Sequence, residues 1–448
     1  MIEGWSVVTL ALGYVSVLFA VAWYADRNDR FSKANAGRPL IYALSLAVYC
    51  TSWTFFGSVG LAAATGYDFI PVYLGPILLF VFGWRLLARI VRLAKSQNIT
   101  SVADFLAARY GKSQAVAAIV TVIAVAGTLP YIALQLKAVA LSVDTLLGGR
   151  PLQQLNLYTD TALIIALAMA AFAVLFGTRH IDATEHQEGL IVAVAAESLV
   201  KLAAFLTVGL FVTFSMFGGM GGLLARTLES SEIQRVFAHG LHGGTWITVT
   251  FLSLVAIVLL PRQFHVTVVE NNSEVEIRRA AWLFPVYLVL INLFVVPIAA
   301  AGLLSLPKHD ADTFVLGLPL SAGADAVTLF AFVGGLSAAT AMVIVDSVAL
   351  AIMVCNGLVL PLLLRRRAHG GDGQQPDMAR LLLGIRRVAI FAIVLLGYGF
   401  YRLLGQAHGL ASIGLVSFAA IAQFAPAGWH QIRRAAIKRR GEIAGGHS

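Results

Sequence analysis

The chain has 448 residues, of which 59% are hydrophobic and only 12% are charged, and its mean hydropathy is +0.82. This composition excludes a water-soluble globular domain and indicates a polytopic protein of the lipid bilayer. The formal net charge of +9 does not indicate nucleic-acid binding, because the basic residues cluster at the ends of apolar segments, where they set orientation. The two cysteines, Cys50 and Cys355, lie in apolar runs and predict neither disulfides nor a metal cluster.

Eleven apolar segments are long enough to cross about 30 Å of hydrocarbon, which takes roughly 20 helical residues. They are predicted at about residues 4–24, 39–63, 70–94, 113–147, 157–178, 187–217, 245–267, 279–306, 322–362, 382–404 and 408–429. Most of the 32 Lys and Arg residues fall in alternate loops, which predicts an outer N-terminus and a cytoplasmic C-terminus. The first segment reads as a retained span rather than a signal peptide, since its positive charges follow it.

The second segment contains an unusual stretch, "LAVYCTSWTFFGSVGLAAATG", from Leu46 to Gly66. Isolated hydroxyls in a membrane helix can bond back to the carbonyl one turn earlier. A run of polar positions followed by spaced glycines instead predicts a helix that is interrupted near Cys50 to Trp53. The freed carbonyls and hydroxyls could then coordinate a cation or a solute amine inside the protein.

The ninth segment contains a second such stretch, "FVGGLSAATAMVIVDSVAL", in which Ser337 and Thr340 precede Asp346. Ser337 and Thr340 share a helix face, because residues three apart are neighbours. A carboxylate within a span is costly and is by default a functional-site hypothesis. The alternative for Asp346 is a position near the inner end of the helix, in contact with water.

Other features of the spans receive structural interpretations. Glu197 precedes Lys201 by four residues, which predicts that the two charges neutralise each other within one helix. Pro261 predicts a kink or a helix end. The sequence contains no phosphate-binding glycine loop ahead of a lysine, no zinc-binding histidine pair and no histidine-kinase catalytic segment, so an enzyme is not expected.

Several motifs carry a resemblance to a known family. "NITSVADFLAARYGKS", "TLPYIALQLKAVAL" and "GTRHIDATEHQEGL" resemble the sodium/solute symporter family, which includes proline, sugar and sialic acid carriers. "TSWTFFGSVGLA", "DATEHQEGLIVAVAAESLVKLAAF" and "ASIGLVSFAAIAQFAPA" are more closely similar to the transporter-like N-terminal domain of bacterial sensor histidine kinases, some of them implicated in histidine uptake. The resemblance covers almost the whole chain.

The resemblance implies an all-α fold of the LeuT type, in which one extra helix precedes ten core helices arranged as two inverted halves. The implied divisions are residues 1–38 for the extra helix and inner loop, 39–217 for the first five-helix half, 218–244 for an outer loop, 245–429 for the second half and 430–448 for a basic cytoplasmic tail. Relatives usually continue beyond this point, so the chain is expected to be either a short natural version or a fragment.

The resemblance also implies a sodium site formed by the carbonyls of Val48, Thr51 and Gly334 and by hydroxyls at the positions of Ser337 and Ala338. Ala338 lacks a hydroxyl, and Cys50 stands where proline carriers place an aspartate. A site that lacks a hydroxyl and a carboxylate should hold Na⁺ poorly, unless Thr340 supplies an oxygen.

Coupling to protons is therefore an alternative to coupling to sodium. Asp346 is one candidate proton carrier, and the other is Glu185, which the resemblance places at an inner-side acidic position. No other cofactor is expected. The predicted solute-binding residues lie at the interrupted helix and in the last span; they are Cys50, Ser52, Trp53, Phe56 and Gln423.

The leading hypothesis is a secondary transporter of the bacterial inner membrane that imports a small organic solute, most simply an amino acid, by alternating access driven by Na⁺ or H⁺. A rival hypothesis from another class is a solute-sensing module that acts with a separate histidine kinase or response-regulator system. A third is a truncated, inactive relative.

Overall fold

A computed structural model describes residues 4–27, 38–148, 160–177, 188–238, 243–368, 378–404 and 409–428. The helices of the first part are α1 (Gly4–Arg27), α2 (Arg38–Ser45), α3 (Ser58–Thr65), α4 (Pro71–Ser96), α5 (Val102–Ala108), α6 (Gln114–Leu146), α7 (Thr161–Gly177) and α8 (Glu188–Leu210). The remaining helices are α9 (Met220–Glu229), α10 (Ser231–Phe237), α11 (Gly243–Leu259), α12 (Pro261–Phe264), α13 (Glu274–Asn292), α14 (Val295–Ser305), α15 (Phe314–Ser321), α16 (Asp325–Val354), α17 (Leu360–Ala368), α18 (Met378–Leu404) and α19 (Leu410–Ala422).

Short segments of other helical geometry join several of these helices. A 3₁₀ turn, Leu46–Tyr49, and a π-helix, Trp53–Gly57, lie between α2 and α3. The other π-helical segments are Phe211–Met216, His265–Val269 and Cys355–Val359, and Ala311–Thr313 is a second 3₁₀ turn. All secondary structure in the described part of the chain is therefore helical.

Seven helices in the described residues are long and apolar enough to cross a membrane, and the number rises to nine if two bent pairs each count as one span. The bent pairs are Arg38–Tyr49 with Trp53–Thr65, at 66°, and Gly243–Leu259 with Pro261–Val269, at 54°. We call them the first and the second interrupted helix. The remaining two predicted spans correspond to shorter apolar helices, Ala162–Leu175 and Leu410–Ala422. The protein is an all-α polytopic membrane protein, as predicted.

The centre of the bundle is formed by α16, which is buried along most of its length. It packs against α8, α6 and α18, and it contacts both interrupted helices near their breaks. Small residues in α16 permit these close contacts, because a membrane helix gains its packing energy where backbones approach one another. Apolar side chains on α1, α11 and α13 are instead exposed on the outside of the bundle, as lipid requires.

Candidate functional site

The first interrupted helix loses its helical geometry at Cys50, whose φ of −81° and ψ of 95° are extended. The Cys50 amide still donates to the Ala47 carbonyl at 2.9 Å, and the helical ladder resumes where the Phe55 amide donates to the Thr51 carbonyl at 3.0 Å. The hydroxyl of Thr51 accepts a hydrogen bond from the Trp53 amide at 3.2 Å. The predicted interruption near Cys50 to Trp53 is confirmed.

The second interrupted helix breaks at Leu260, whose ψ of 133° is also extended. Pro261 follows as the first residue of α12. A proline disfavours helical geometry in the residue before it, whereas it is tolerated at the first helical position, where no amide hydrogen is needed. The kink predicted from Pro261 is confirmed, and it lies beside the first break, because α12 contacts the Leu46–Tyr49 turn.

A buried lysine from α8 fills the carbonyl end of the first break. Lys201 is 1% exposed, and its ammonium donates hydrogen bonds of 2.7 Å to the carbonyls of both Ala47 and Cys50. The C-terminal end of a helix carries partial negative charge, so a cation is favoured there. The resemblance implied a sodium site at the carbonyls of Val48 and Thr51, whereas the carbonyls that Lys201 binds belong to the residue before each of them.

The other buried charge of α8, Glu197, has different partners. Thr340 donates its hydroxyl to the Glu197 carboxylate at 2.6 Å, and Ser337 donates to the Glu197 backbone carbonyl at 2.8 Å. Glu197 and Lys201 therefore lie close enough to interact electrostatically but form no direct ion pair in the described structure, because the lysine turns to the break and the glutamate turns to α16. The predicted face of Ser337 and Thr340 does exist, and it meets α8.

Gly334 has a packing role in this structure. A Cβ atom at Gly334 would lie 2.5 Å from the Cβ of Ala204 and 2.8 Å from the ring of Phe55. Gly335 is similarly close to the ring of Phe56. Both predicted site residues, Gly334 and Phe56, thus belong to the contact between α16 and the π-helical segment of the first interrupted helix.

Asp346 forms a buried ion pair with Arg262 at the second break. Both side chains are 0% exposed, and Arg262 Nη1 lies 2.7 Å from Asp346 Oδ2. The Arg262 amide, near the start of α12, also donates to Asp346 Oδ1 at 3.3 Å. A carboxylate is favoured at a helix N-terminus, where amide groups lack helical partners. Asp346 is therefore not a water-contacting residue at the inner end of α16.

An aromatic residue of α6 connects the two breaks. The guanidinium carbon of Arg262 lies 4.3 Å from the centre of the Tyr131 ring, which is a cation–π contact. The Tyr131 hydroxyl lies 3.1 Å from the Thr51 hydroxyl of the first break. Tyr131 also stacks on Phe418 of α19, with 6.0 Å between ring centres. Sequence reasoning missed Tyr131, because aromatic residues are common in membrane spans and nothing in the sequence distinguishes this one.

Two glutamines complete the cluster. Gln135, one turn after Tyr131, accepts the Ser52 amide at 3.1 Å, and Gln263 donates to the Leu46 carbonyl at 3.4 Å. Both glutamines are buried. A buried amide within a span was the available signal for both, because polar groups in lipid require protein partners. We call Thr51, Ser52, Tyr131, Gln135, Lys201, Arg262, Gln263 and Asp346 the central polar cluster.

The structure separates some predicted site residues from this cluster. Trp53 is buried and donates its indole N–H to the Ala411 carbonyl of α19 at 3.1 Å, which links the first interrupted helix to the last described helix. Cys50 and Val48 are buried at the break itself. Gln423 is exposed and bonds back to Ala419 on its own helix, so the prediction that it lines the central region is not supported. Glu185 lies outside the described residues.

A second charged network lies at the end of the bundle where α2 begins. Arg38 is 3% exposed and forms ion pairs with Glu188 of α8 and with Glu276 of α13, the latter at 3.3 Å. It also donates to the Glu270 carbonyl at 3.2 Å. Tyr42 donates to the Thr267 carbonyl at 2.8 Å. These contacts join the starts of three helices to the end of the second interrupted helix, and we call them the Arg38 network.

Comparisons with known proteins agree with a transporter fold. No family model matches the chain. The uncharacterized symporter YhjB of Bacillus subtilis (strain 168) is 23% identical over 292 residues, which are 64% of this chain and 56% of that protein. The match therefore spans little more than half of the relative's length.

Two solved structures are similar. A Na⁺-coupled sialic acid symporter, in a substrate-bound outward-open state, aligns with a TM-score of 0.66 and 14% identity over 93% of this chain and 85% of its own. At this identity the likeness establishes the fold alone. A manganese transporter of Eremococcus coleocola aligns over 90% of this chain and 97% of its own, with a TM-score of 0.41 and 12% identity. The chain therefore has the fold of a membrane symporter, and these similarities are to transport proteins rather than enzymes.

Proposed function

We propose that this protein is a secondary active transporter that imports a small organic solute by alternating access. The observation that carries the proposal is the meeting of two interrupted helices around the central polar cluster. Interrupted helices with free backbone ends near the middle of a membrane are the usual construction of substrate and ion sites in transporters. Charged side chains within a membrane span are energetically costly, so their burial at the two breaks supports a functional binding site there.

The central polar cluster favours an amino acid as the solute. Among the described residues, Arg262 Nε and Nη2 have no hydrogen-bond partner, although the side chain is fully buried. A guanidinium edge with two free N–H groups matches a carboxylate in a bidentate arrangement. Two other unpartnered oxygens in the same part of the structure, Ser52 Oγ and Gln263 Oε1, would accept hydrogen bonds from a solute ammonium.

Access from one side is controlled, in this proposal, by the Arg38 network. The distribution of basic residues places this end of the bundle in the cytoplasm, which remains a prediction. The ion pairs of Arg38 with Glu188 and Glu276 join three helices at this end of the described structure. Release of the solute to the inside would require them to separate, which is the gating step of an alternating-access cycle.

Coupling to H⁺ rather than Na⁺ fits the positions of the predicted sodium ligands. The carbonyls of Ala47 and Cys50 at the first break are bound by the Lys201 ammonium, and neither Ala338 nor Cys50 supplies the side-chain oxygen that the resemblance implies at its position. Na⁺ requires several oxygen ligands, and this arrangement offers it fewer. Asp346 and Glu185 remain the proposed proton carriers.

The test is uptake by proteoliposomes that contain the purified protein. A panel of labelled amino acids is offered with an inward H⁺ gradient, an inward Na⁺ gradient, or neither, and empty liposomes serve as the control. The proposal predicts that at least one amino acid accumulates under the H⁺ gradient. Saturable binding with no uptake under either gradient would contradict transport and would support the solute-sensing module instead.

A further inference from the structure

The ammonium of Lys201 lies where a coupling cation would be expected. The first break leaves carbonyls at the end of a half-helix, and backbone carbonyls at such ends coordinate coupling ions in transporters with interrupted helices. In this protein two of those carbonyls, from Ala47 and Cys50, are occupied by Lys201 Nζ at 2.7 Å each. The lysine reaches them from α8.

The surroundings of Lys201 show that the ammonium is a built part of the site. The side chain is 1% exposed, and an isolated ammonium in such a place would be strongly unfavourable. Two of its three N–H donors are satisfied by the carbonyls. The nearby charged and titratable groups are the Glu197 carboxylate one turn earlier, the Cys50 thiol and the Arg262 guanidinium.

We propose that Lys201 is a tethered cation that takes the place of a coupling metal ion at the first interrupted helix. A single positive charge on the carbonyl end of the half-helix then holds the break in position without any ion from solution. The side chain therefore determines ion specificity, because Na⁺ cannot enter a site whose carbonyls are already bound to an ammonium. This inference rests on the proposed transport function, and it concerns only which ion drives the transport.

The inference predicts that removal of the ammonium opens a metal-ion site. In Lys201→Ala, the Ala47 and Cys50 carbonyls lose their cation, while the buried Glu197 carboxylate and the Thr340 hydroxyl remain on the neighbouring helices. Those oxygens are the kind of ligands that a hard cation such as Na⁺ prefers. The variant should bind Na⁺, whereas the parent protein should not.

The experiment measures equilibrium binding of radioactive Na⁺ to the purified full-length protein, with choline chloride replacing NaCl at constant ionic strength. The parent and Lys201→Ala are compared with Lys137→Ala, which removes a different lysine from a span, on α6. Thermal unfolding midpoints are recorded for all three with and without Na⁺. If the dissociation constant is about 1 mM, about 100 mM Na⁺ shifts the unfolding equilibrium of a binding variant roughly 100-fold toward the folded state.

The expected result is Na⁺ binding and Na⁺-dependent stabilisation in Lys201→Ala, with neither in the parent or in Lys137→Ala. Saturable Na⁺ binding by the parent would overturn the inference, and so would a folded Lys201→Ala protein that binds no Na⁺. If Lys201→Ala does not fold, Lys201→Ser replaces it, since the serine hydroxyl can bond back within α8 and has neither the charge nor the reach to fill the carbonyls. No solute is used, so failure of transport and failure of this inference give separate results.

Discussion

At each break, the end of a half-helix contacts a side chain whose charge is opposite to the partial charge of that helix end. Lys201 binds the carbonyl end of the first interrupted helix, and Asp346 accepts the Arg262 amide near the start of the segment that follows the second break. Both arrangements follow from the dipole of the half-helices. Asp346 could be selected from the sequence, because a carboxylate in a span is conspicuous. Its partner could not, since Arg262 is 84 positions away and stands beside a proline that indicated only a kink.

The ion pair at the second break should be important for stability. Asp346→Asn removes the carboxylate charge that pairs with Arg262, and loss of one partner of a buried ion pair costs about 3–5 kcal/mol. We expect a large fall in the thermal unfolding midpoint and, if Asp346 carries the proton, reduced H⁺-driven uptake. Asp325→Asn, at the exposed start of the same helix, is the control. Equal midpoints for the two variants would contradict this account of Asp346.

The contact between α16 and the first interrupted helix depends on glycine. Sequence analysis singled out the segment that begins with "FVGG" as a second unusual polar stretch, and the resemblance implied that the Gly334 carbonyl binds sodium. The structure shows why a glycine is needed at this position: Phe55 and Ala204 occupy the space that a Cβ atom at Gly334 would take. Such a contact joins residues far apart in the chain, so no periodicity in a single segment could have predicted it.

Gly334→Ala tests this contact. The added methyl group would overlap the Ala204 and Phe55 side chains, and overpacking of this kind costs typically 1–3 kcal/mol. Gly399→Ala in α18 is the matched control, because a Cβ there meets nothing within 4 Å. We expect a lower thermal unfolding midpoint for Gly334→Ala and an unchanged or higher one for Gly399→Ala, since alanine favours a helix. The reverse order would rule out the packing role.

The start of α19 is fixed by a carboxylate from a different element. Asp312, in the 3₁₀ turn outside the membrane-spanning helices, accepts the Leu410 amide at 3.0 Å. Burial raises the pKa of Asp312 above its ordinary value of 3.8, with the Leu410 amide and Lys137 opposing that effect and Asp310 adding to it. The Asp312 carboxyl group therefore binds a proton more tightly in the folded protein than in the unfolded chain. Asp312 contributes most to stability below pH 3.8, and the contribution is lost as the pH rises through the raised pKa.

Two substitutions separate the charge of Asp312 from its hydrogen bond. Asp312→Asn keeps an acceptor for the Leu410 amide without the cost of burying a charge, so its stability at neutral pH should equal or exceed that of the parent. Asp312→Ala removes the acceptor and should cost about 1 kcal/mol. Thermal unfolding measured across acidic to neutral pH should show less pH dependence for Asp312→Asn. An asparagine variant that is as unstable as the alanine variant would contradict this interpretation.

At the scale of the whole molecule, the length and number of apolar segments predicted the class of the fold. The all-α membrane class and the two interruptions follow from composition, from the polar run at Cys50 and from Pro261. Nine of the eleven predicted spans correspond to long apolar helices or bent pairs in the described part of the chain, and the other two correspond to apolar helices of fewer than 18 residues. The orientation, the division into halves of residues 39–217 and 245–429, and the basic tail of residues 430–448 remain predictions.

The central polar cluster could not be assembled from the sequence. Its members come from the second, fourth, sixth, seventh and ninth predicted spans, and each pairing depends on which helix faces meet in three dimensions. Lys201 and Glu197 illustrate the difficulty, since their four-residue spacing favours a pair within α8, whereas tertiary partners separate them. Residue spacing in the sequence indicates only which side chains can meet within one helix. The partners that Lys201 and Glu197 have in the structure lie on other segments, which spacing within α8 cannot indicate.

The most direct test of the central claim asks whether the transported solute binds between the two breaks. Cys50 lies at the first break, is 1% exposed, and becomes the only cysteine in a Cys355→Ser background. The measurement is the rate at which a maleimide labels Cys50 in proteoliposomes as the solute identified by uptake is added, with denatured protein giving the total thiol. The account predicts that the solute changes this rate severalfold, half-maximally at the concentration that half-saturates uptake. A labelling rate unaffected by saturating solute, while uptake proceeds, would contradict a binding site at the interrupted helices.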